Sequence, residues 1–556
     1  MSTEEIRVQL DFRIPMRDGI QLYGAMYRPV GGDRFPVLLA RTIYSTQQPY
    51  YVETACQFAR AGYAVMLVDS RGRYESEGHW RPYFCEAEDG IDTQNWIAAQ
   101  PWCDGTIGMF GRSYVGFTQL LPAPFRCPAV RALVPQVNQE DNYGHMRYNG
   151  VLQLQNVMNF IWLGNRTNQT IAADGPIDMH RVYRRLPLIT ALDDIADRPF
   201  YREVISHDCF DEFWTSYSMK TRYGDCETPA YFQTGWFDNL VHEGFKCYRG
   251  WSQQGRTAET RRKSKLLVGP WPHKPLGQGG KFGDLDFGPA AAKDLTGEHL
   301  RWFDQRLRGV DTGIDADPPI CLFVMGENVW RFEHEWPLAR TEYRRVYLHS
   351  DGRANSAFGD GRLSEIAPGD EPADGFDYDP NDPVPTWGGP SMFPENNGPR
   401  DRRSIQRRDD VLVFSTDILE SDVEVTGLAE VTLFATSTAP DTDFTVALID
   451  VYPDGRAILL TDGIIRARYR ESFVRPTLIE PGRVYEYRTE LWETSNLFRA
   501  GHQIRLEISS SNFPRFDRNQ NTANQPGMSS ETAVARQTIL HNARFPSHLT
   551  LPVIPR

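Results

Sequence analysis

The chain has 556 residues, of which 40% are hydrophobic and 24% charged, as in an ordinary water-soluble globular protein. Its formal net charge of −13 argues against a nucleic-acid partner, because a phosphate backbone needs clustered lysines and arginines. The charged N-terminus lacks the apolar core of a signal peptide and no apolar run reaches the ~20 residues that span a bilayer, so we predict a cytoplasmic chain with no membrane partner.

The first third of the chain alternates between short apolar runs and helix-like stretches. Residues 7–29 predict a hairpin around the turn Arg17-Asp18-Gly19. The elements predicted after it are strands at 35–40, 63–68, 106–110 and 130–137, and helices at 54–61 and 88–100. Strands and helices that alternate at this spacing predict a parallel sheet covered by helices on both faces.

The pattern changes near Asn138, where strand signals stop. The helices predicted in this part lie at 151–157, 189–195 and 210–217, and the strand signals return at 230–234 and 265–268. A helix near 298–308 is expected to close the core. We therefore predict an α/β core made of residues 1–140 and 226–339, with residues 141–225 inserted as a helical cap.

From about residue 340 onward the hydrophobic period switches to two. The predicted strands lie at 344–349, 410–415, 423–437, 444–451, 484–492, 503–509 and 537–541. Short strands separated by turn signals predict a C-terminal β-sandwich of the jelly-roll type over residues 340–556. The Gly/Pro/Asp-rich stretch 351–404 is either a linker or a long ordered crossing within that sandwich.

One motif carries a candidate nucleophile, Gly111-Arg-Ser-Tyr-Val-Gly116, which lies between a predicted strand and a stretch that can be a helix. A serine in such a sharp turn is exposed at the carboxyl edge of the sheet, where a nearby base can activate it. The second glycine comes one residue later than in G-x-S-x-G. Taken alone, the motif is therefore also compatible with an ordinary glycine turn.

The positions of four polar residues strengthen this hypothesis. Each follows a predicted strand: Tyr44 after 35–40, Ser113 after 106–110, Asp238 after 230–234 and His273 after 265–268. In open α/β sheets, functional sites lie just beyond the carboxyl ends of the strands. Serine, then aspartate, then histidine is also the chain order of α/β hydrolases, and the insertion falls where a cap would cover the site.

Seven motifs are spread over almost the whole chain. They are Met16-Arg-Asp-Gly19, Asp69-Ser-Arg-Gly72, the run Gln100–Phe117, Gly235-Trp-Phe-Asp238, Gly269-Pro-Trp-Pro-His273, Val324-Met-Gly-Glu-Asn-Val-Trp-Arg331 and Asp450-Val-Tyr-Pro-Asp-Gly455. Together they resemble the CocE/NonD hydrolases, a family that includes cocaine esterase, α-amino-acid ester hydrolases and the related X-Pro dipeptidyl-peptidases. The late glycine is itself similar to the family form, G-x-S-Y-x-G.

The resemblance implies a role for five residues. Ser113 would be the nucleophile, His273 the general base and then acid, and Asp238 the carboxylate that orients the imidazole. The oxyanion hole would consist of the Tyr114 amide and the Tyr44 hydroxyl. A second donor of this kind is needed, because the chain has no His-Gly-Gly-Gly-type loop to supply one.

Alternative assignments exist for the acid and the base. Glu243 competes with Asp238, and His242 competes with His273, although a histidine four residues past the acid is more typical of a helix face. Asp69 precedes the serine, which does not fit the chain order of the triad. We expect the segment Asp69-Ser-Arg-Gly72 instead to form a salt-bridged turn that braces the site.

The substrate pocket is predicted from aromatic side chains. The candidates are Phe160, Trp162 and Trp214 of the insertion and Trp236 of the core, and simple packing is the alternative for each. We expect the insertion to set acyl specificity and the sandwich to stay outside the chemistry. Residues 45–49 carry no acid that could bind a substrate ammonium, although Asp208 or Asp211 could serve instead.

The predicted function is that of a serine hydrolase that cleaves small carboxylic esters or activated amides through an acyl-enzyme. X-Pro dipeptidyl-peptidase or α-amino-acid ester hydrolase and acylase activity is the alternative within this class. A lapsed hydrolase that binds ligands through its sandwich is the alternative from another class. No HExxH, P-loop or dinucleotide fingerprint occurs, so neither a metal nor another cofactor is implied, and a homo-oligomer stays open.

Overall fold

The N-terminal third folds into strands and helices that alternate, as predicted. The computed structural model describes residues 5–164, 177–195, 199–216, 218–393 and 395–556. The strands of this part are β1 (Ile6–Pro15), β2 (Gln21–Pro29), β3 (Phe35–Thr42), β4 (Ala64–Asp69), β5 (Cys103–Arg112) and β6 (Val130–Gln136). Its helices are α1 (Pro49–Arg60), α2 (Glu86–Ala98) and α3 (Tyr114–Leu120). The predicted hairpin is confirmed, because β1 and β2 pair antiparallel.

The insertion contains short helices and one small hairpin. Its elements are α4 (Asn142–Met146), β7 (Arg147–Tyr148), β8 (Val151–Leu152), α5 (Leu154–Gly164), α6 (Met179–Tyr183), α7 (Pro199–Ser206) and α8 (Glu212–Thr215). The helix predicted at 151–157 is wrong in its first residues. Asn149 and Gly150 have φ values of 48° and 80°, and two successive residues with positive φ close the tight turn between β7 and β8. The helix predicted at 189–195 is a short 3₁₀ turn, Leu188–Thr190.

The chain then returns to the core and completes its sheet. The elements are β9 (Tyr231–Phe237), α9 (Val241–Gln254), α10 (Ala258–Lys263), β10 (Lys265–Pro272), β11 (Lys281–Phe282), β12 (Leu285–Asp286), α11 (Leu295–Phe303), β13 (Ile320–Val324) and β14 (Val329–Glu333). The ten strands lie in the order β1-β2-β4-β3-β5-β6-β9-β10-β13-β14. All neighbours from β4 to β13 are parallel. The helix near 298–308 therefore does not close the core, because the fully buried run of β13 adds another parallel strand after it.

The C-terminal part is a β-sandwich with a separate apolar core. Its strands are β15 (Glu342–His349), β16 (Arg362–Ser364), β17 (Asp374–Tyr378), β18 (Leu412–Ser415), β19 (Val423–Ser437), β20 (Asp443–Val451), β21 (Ala457–Arg466), β22 (Tyr485–Phe498), β23 (Gln503–Ser509), β24 (Ala535–Asn542), β25 (Phe545–Pro546) and β26 (His548–Ile554). The stretch 351–404 is an ordered crossing rather than a linker, since β16 pairs with β15 and β17 pairs with β24.

The sandwich contacts both the insertion and the core. On the insertion side, the Asn149 side chain donates to the Ile464 carbonyl at 2.9 Å, and a Cβ on Gly150 would lie 2.1 Å from the Tyr469 ring. On the core side, the Asp284 amide donates to the Pro399 carbonyl at 2.7 Å. The insertion and the core thus both hold the sandwich in place. None of the helices in the described part of the chain is long and apolar enough to cross a membrane.

Candidate active site

Four residues with predicted roles lie at one edge of the parallel sheet. Tyr44 follows β3, and Ser113, Asp238 and His273 follow the last residues of β5, β9 and β10. These four strands point the same way, with β3 beside β5 and β9 beside β10. The fold therefore gathers side chains from distant parts of the sequence at the carboxyl edge, where such sheets form their sites.

The turn at Ser113 has an unusual backbone conformation. Ser113 has φ 61° and ψ −128°, a region that residues with a side chain rarely adopt. Two glycines make room for it. A Cβ on Gly111 would lie 2.2 Å from Val115, and a Cβ on Gly116 would lie 2.8 Å from the Gln136 carbonyl of β6. The late second glycine thus allows the helix after the serine to pack closely on the neighbouring strand.

His273 and Asp238 form a buried pair. The Nδ1–H of His273 donates to Asp238 Oδ2 at 2.7 Å, and the other carboxylate oxygen accepts from the Leu240 amide at 2.6 Å. Asp238 is fully buried, so both bonds are shielded from solvent. This arrangement leaves His273 Nε2 for the cavity that His273 and Ser113 line together. Among the described residues, no hydrogen bond joins His273 directly to Ser113.

The competing residues lie elsewhere. His242 donates to Glu493 of the sandwich at 2.9 Å and stacks on Trp492. Glu243 accepts from Lys246 at 2.9 Å and from the Glu140 amide at 3.0 Å. Neither His242 nor Glu243 lines the cavity that holds Ser113. The geometry therefore favours Asp238 and His273 over these alternatives.

The Tyr44 hydroxyl and the Tyr114 amide lie beside Ser113. The hydroxyl of Tyr44 donates to Ser113 Oγ at 3.3 Å. Burial raises the pKa of that hydroxyl, and its hydrogen bonds with Ser113 and with the Tyr114 amide oppose the rise. The Tyr114 side chain points away, where its hydroxyl donates to Glu86 at 2.9 Å and accepts from the Tyr83 amide at 2.9 Å. The Tyr44 hydroxyl therefore contacts both the serine oxygen and the Tyr114 amide.

The loop that carries Tyr44 is held by the turn after β4. Asp69 Oδ1 accepts from the Thr46 amide at 2.8 Å, and Arg73 donates to the Ile43 carbonyl at 3.2 Å. Asp69 is buried, and burial raises the pKa of its carboxyl to about 7. These contacts fix the backbone on both sides of Tyr44.

The turn Asp69-Ser-Arg-Gly72 is salt-bridged, as predicted. Arg71 pairs with Asp18 at 2.6 Å and with Asp89 at 2.6 Å, which links the turn to the first hairpin and to α2. Asp69 acts through hydrogen bonds to the backbone. The turn thus braces the site as expected: Arg71 supplies its salt bridges, and Asp69 binds the loop that carries Tyr44.

A cavity of about 530 Å³ opens at Ser113. The residues that line it come from all three parts of the chain: Ile43, Tyr44, Gln48, Tyr51, Arg73, Tyr74, Tyr83, Arg112, Ser113, Tyr114, Gln139, His145, Phe160, His273, Lys274, Met392 and Phe393. Met392 and Phe393 belong to the crossing segment of the sandwich. The sandwich region therefore contributes to the wall of this cavity, and its expected absence from the chemistry itself stays a prediction.

A second histidine, His145 of α4, also lines the cavity and was not predicted. Its Nε2 lies 3.3 Å from the Asn156 side-chain nitrogen, and Nδ1 has no hydrogen-bond partner among the described residues. Burial lowers the pKa of His145 to about 4, so the ring is neutral at pH 7. Nothing in its local sequence distinguishes it from an ordinary helix residue.

The aromatic residues predicted for the pocket separate into two groups. Phe160 lines the cavity and stacks on Tyr83 and Tyr114, whereas the Trp162 side chain lies outside the described residues. The substrate contacts predicted for Trp214 and Trp236 are wrong. Trp214 donates to the His207 carbonyl at 3.0 Å and Trp236 to the Phe323 carbonyl at 2.7 Å. Both indoles are buried packing residues away from the cavity.

No acid among the described residues lines the cavity. Asp208 accepts from the Tyr469 hydroxyl at 2.9 Å, and Asp211 caps α8 and pairs with His207. Both carboxylates are thus engaged elsewhere. The described wall offers no carboxylate for a substrate ammonium group.

Comparison with known proteins decides the family. Residues 18–275 match the X-Pro dipeptidyl-peptidase (S15 family) model, and residues 312–550 match the model of the X-Pro dipeptidyl-peptidase C-terminal non-catalytic domain. The chain is 39% identical to cocaine esterase of Rhodococcus sp. (strain MB1 Bresler), over 98% of both chains. The chain belongs to the CocE/NonD family of serine hydrolases.

Solved structures agree with this family in fold. An aminopeptidase from the marine sediment archaeon Thaumarchaeota archaeon has a TM-score of 0.86 at 25% identity, covering 99% of this chain and 96% of that one. An α-amino acid ester hydrolase has a TM-score of 0.86 at 24% identity, covering 99% of this chain and 97% of that one. This CocE/NonD member is thus an α/β hydrolase with an inserted cap and a C-terminal β-sandwich.

Proposed function

We propose that this serine hydrolase cleaves carboxylic esters, or activated amides, of small molecules through an acyl-enzyme. Ser113 is the nucleophile, His273 the general base and then acid, and Asp238 the carboxylate that orients it. The Tyr44 hydroxyl and the Tyr114 amide stabilise the oxyanion. One observation carries the proposal: the His273–Asp238 pair at 2.7 Å and the Tyr44–Ser113 contact at 3.3 Å border the same cavity.

The reaction uses these groups in sequence. His273 Nε2 takes the proton from Ser113 Oγ as the oxygen attacks the substrate carbonyl carbon, and the negative charge moves to the carbonyl oxygen. Tyr44 and Tyr114 donate to that oxygen. When the intermediate collapses, the bond to the leaving group breaks and His273 returns the proton to it. A water molecule then repeats the cycle and releases the acid, with the buried Asp238 stabilising the imidazolium each time.

The shape of the cavity supports an acyl group with apolar surface. Phe160, Met392 and Phe393 contribute aromatic and thioether surface, and apolar burial contributes about 25 cal/mol per Å². The absence of acids from the described wall disfavours substrates with a free α-ammonium group. The 39% identity with cocaine esterase also supports an ester substrate.

A fluorophosphonate probe tests the proposal, since it reacts only with an activated serine. We expect the wild-type protein to be labelled and Ser113→Ala to lose both labelling and turnover of chromogenic esters while keeping its fold. Ser252→Ala, at a serine of α9 outside the cavity, is the matched control and should be labelled normally. Labelling of Ser113→Ala would refute the nucleophile. A folded wild-type protein that is never labelled would instead favour the lapsed, ligand-binding hydrolase.

A further inference from the structure

Three cations line the cavity: Arg73, which donates to the Ile43 carbonyl, and two that adjoin the proposed catalytic residues. Arg112 directly precedes Ser113, and Lys274 directly follows His273. Because each is the chain neighbour of a reacting group, the backbone places both charges at the carboxyl edge of the sheet. A substrate bound at Ser113 is therefore close to both.

These two cations lack the acidic neighbours that other basic residues have. Arg71, for example, pairs with Asp89 at 2.6 Å. Among the described residues, neither Arg112 nor Lys274 forms an ion pair, and the cavity wall has no acid. Partial desolvation of the ammonium group by surrounding atoms, and next the positive charge of the nearby Arg112, lower the pKa of Lys274. In a chain with a net charge of −13, two adjacent cations without a carboxylate point to an anion from outside.

The Arg112 guanidinium is also held in place. It lies over the Tyr50 ring, 3.9 Å from the centroid, which stabilises it by a cation–π contact without using its hydrogen-bond donors. A guanidinium oriented in this way can bind a carboxylate through two parallel hydrogen bonds. Lys274 keeps part of its surface open to solvent and adds a second positive charge to the same wall.

We propose that Arg112 and Lys274 form a subsite for a carboxylate on the leaving group of the substrate. The preferred substrates are then hydroxy acids acylated on the hydroxyl group, or amino acids acylated on the amino group. Hydrolysis with one water releases the free hydroxy acid or amino acid as the leaving group. This proposal rests on the proposed function. We assign the cations to the leaving group because His273 gives that group its proton. Lys274 is the chain neighbour of His273, so its charge lies on the same side of the site. The apolar wall at Phe160 and Phe393 receives the acyl group.

Matched substrates test the charge directly. Para-(butyryloxy)benzoate and para-(butyryloxy)benzamide share an acyl group and differ only in the carboxylate or carboxamide of the leaving group. We expect the ratio of kcat/KM for the benzoate over the benzamide to fall roughly 10- to 100-fold in Arg112→Gln/Lys274→Gln, the usual effect of losing charged hydrogen bonds. Lys274→Gln alone, at an exposed side chain, gives a second variant that should lower the ratio by a smaller factor. Lys281→Gln removes an exposed lysine outside the cavity and should leave the ratio unchanged.

Two results would overturn the proposal. One is a ratio that neither variant changes. The other is a stronger effect of the variants on para-cresyl hemisuccinate, which carries its carboxylate on the acyl group, because the cations would then serve the acyl side.

Calorimetric binding of para-hydroxybenzoate to Ser113→Ala separates this proposal from the proposed function. Binding that is lost on adding the two cation substitutions supports the carboxylate subsite even if no ester is cleaved and no probe reacts. Binding that the cation substitutions leave unchanged refutes the subsite even in an active hydrolase.

Discussion

The Asp69 carboxylate accepts a hydrogen bond from the Thr46 amide at 2.8 Å, so the end of β4 is tied to the loop that carries Tyr44. A buried carboxylate in this position is costly when it is charged. Burial raises the pKa of Asp69 to about 7, well above the value of an unfolded aspartate, ~3.9. The burial of the carboxylate that positions Tyr44 therefore makes the stability of the fold depend on pH, while its hydrogen bonds with Thr46 oppose the rise in pKa.

The first prediction concerns that dependence. Between about pH 4 and pH 7 the folded protein keeps the Asp69 proton that the unfolded chain has lost, so the free energy of unfolding falls as the pH rises through this window. For a shift of about 3 units the contribution is at most ~4 kcal/mol. In Asp69→Asn, whose amide oxygen can still accept from Thr46, this part of the slope should vanish in urea unfolding at pH 5 and pH 8. Asp33→Asn, at an exposed loop position, is the control. An identical slope in wild type and Asp69→Asn would contradict the assignment.

The second prediction concerns the oxyanion. Tyr44→Phe removes one hydroxyl and should lower kcat by about 100- to 1,000-fold with a smaller change in KM, because the hydrogen bond strengthens as the oxyanion forms. Steady-state kinetics with one chromogenic ester measure both constants. Tyr27→Phe, which removes a hydroxyl from β2 outside the cavity, controls for general effects. A normal kcat in Tyr44→Phe would mean that another donor serves the oxyanion.

The third prediction separates the two histidines. His273→Ala should abolish turnover, and Asp238→Asn should reduce kcat by roughly 1,000- to 10,000-fold, because it disturbs the tautomer of the base. His242→Ala should instead weaken the contact with Glu493 of the sandwich and lower the melting temperature, while turnover per folded molecule persists. Kinetics and thermal melts of the three variants check this. Activity retained in His273→Ala and lost in His242→Ala would reverse the roles.

The fourth prediction concerns specificity. Phe160→Ala and Phe393→Ala remove surface from the cavity wall and should change the ratio of kcat/KM for acetyl and benzoyl esters. Trp214→Ala and Trp236→Ala should leave that ratio unchanged but destabilise the fold by about 3–5 kcal/mol, because each indole is fully buried. The same ester pair and chemical denaturation of all four variants provide the test. A ratio that follows the tryptophans would place the pocket elsewhere.

The parallel core was predictable because its strands are short, fully buried apolar runs with local turn signals. The four residues at the sheet edge were predictable for the same reason, since the carboxyl ends of parallel strands meet at one edge. One error had a local signal that was available: the Asn149-Gly150 pair is the typical sequence of a tight hairpin turn. The buried run Ile320–Val324 was likewise present in the sequence but lay beyond the helix that was expected to end the core.

Other features had no such signal. Met392 and Phe393 reach the cavity only because the sandwich packs on the core, and no pattern around residue 392 encodes that long-range contact. Trp214 and Trp236 are large aromatic residues like those of the cavity wall, yet their indole nitrogens donate to the backbone carbonyls of His207 and Phe323, which do not line the cavity. Composition and periodicity identify apolar side chains, but they do not say whether a cavity or a packed neighbour lies against them.

The hairpin of β11 and β12 follows His273 in the chain and holds the crossing segment of the sandwich. Its turn residue Asp284 accepts from the Asp401 amide at 2.9 Å and donates its own amide to the Pro399 carbonyl. The catalytic residues at the sheet edge are thus carried by different segments from the part of the cavity wall that contacts the substrate at Met392 and Phe393. Substitutions around Met392 and Phe393 can reshape that wall while the hairpin keeps the segment in register and the sheet edge stays intact. Related enzymes can therefore diverge in substrate range through this one segment, and a search for new acyl preferences should begin there.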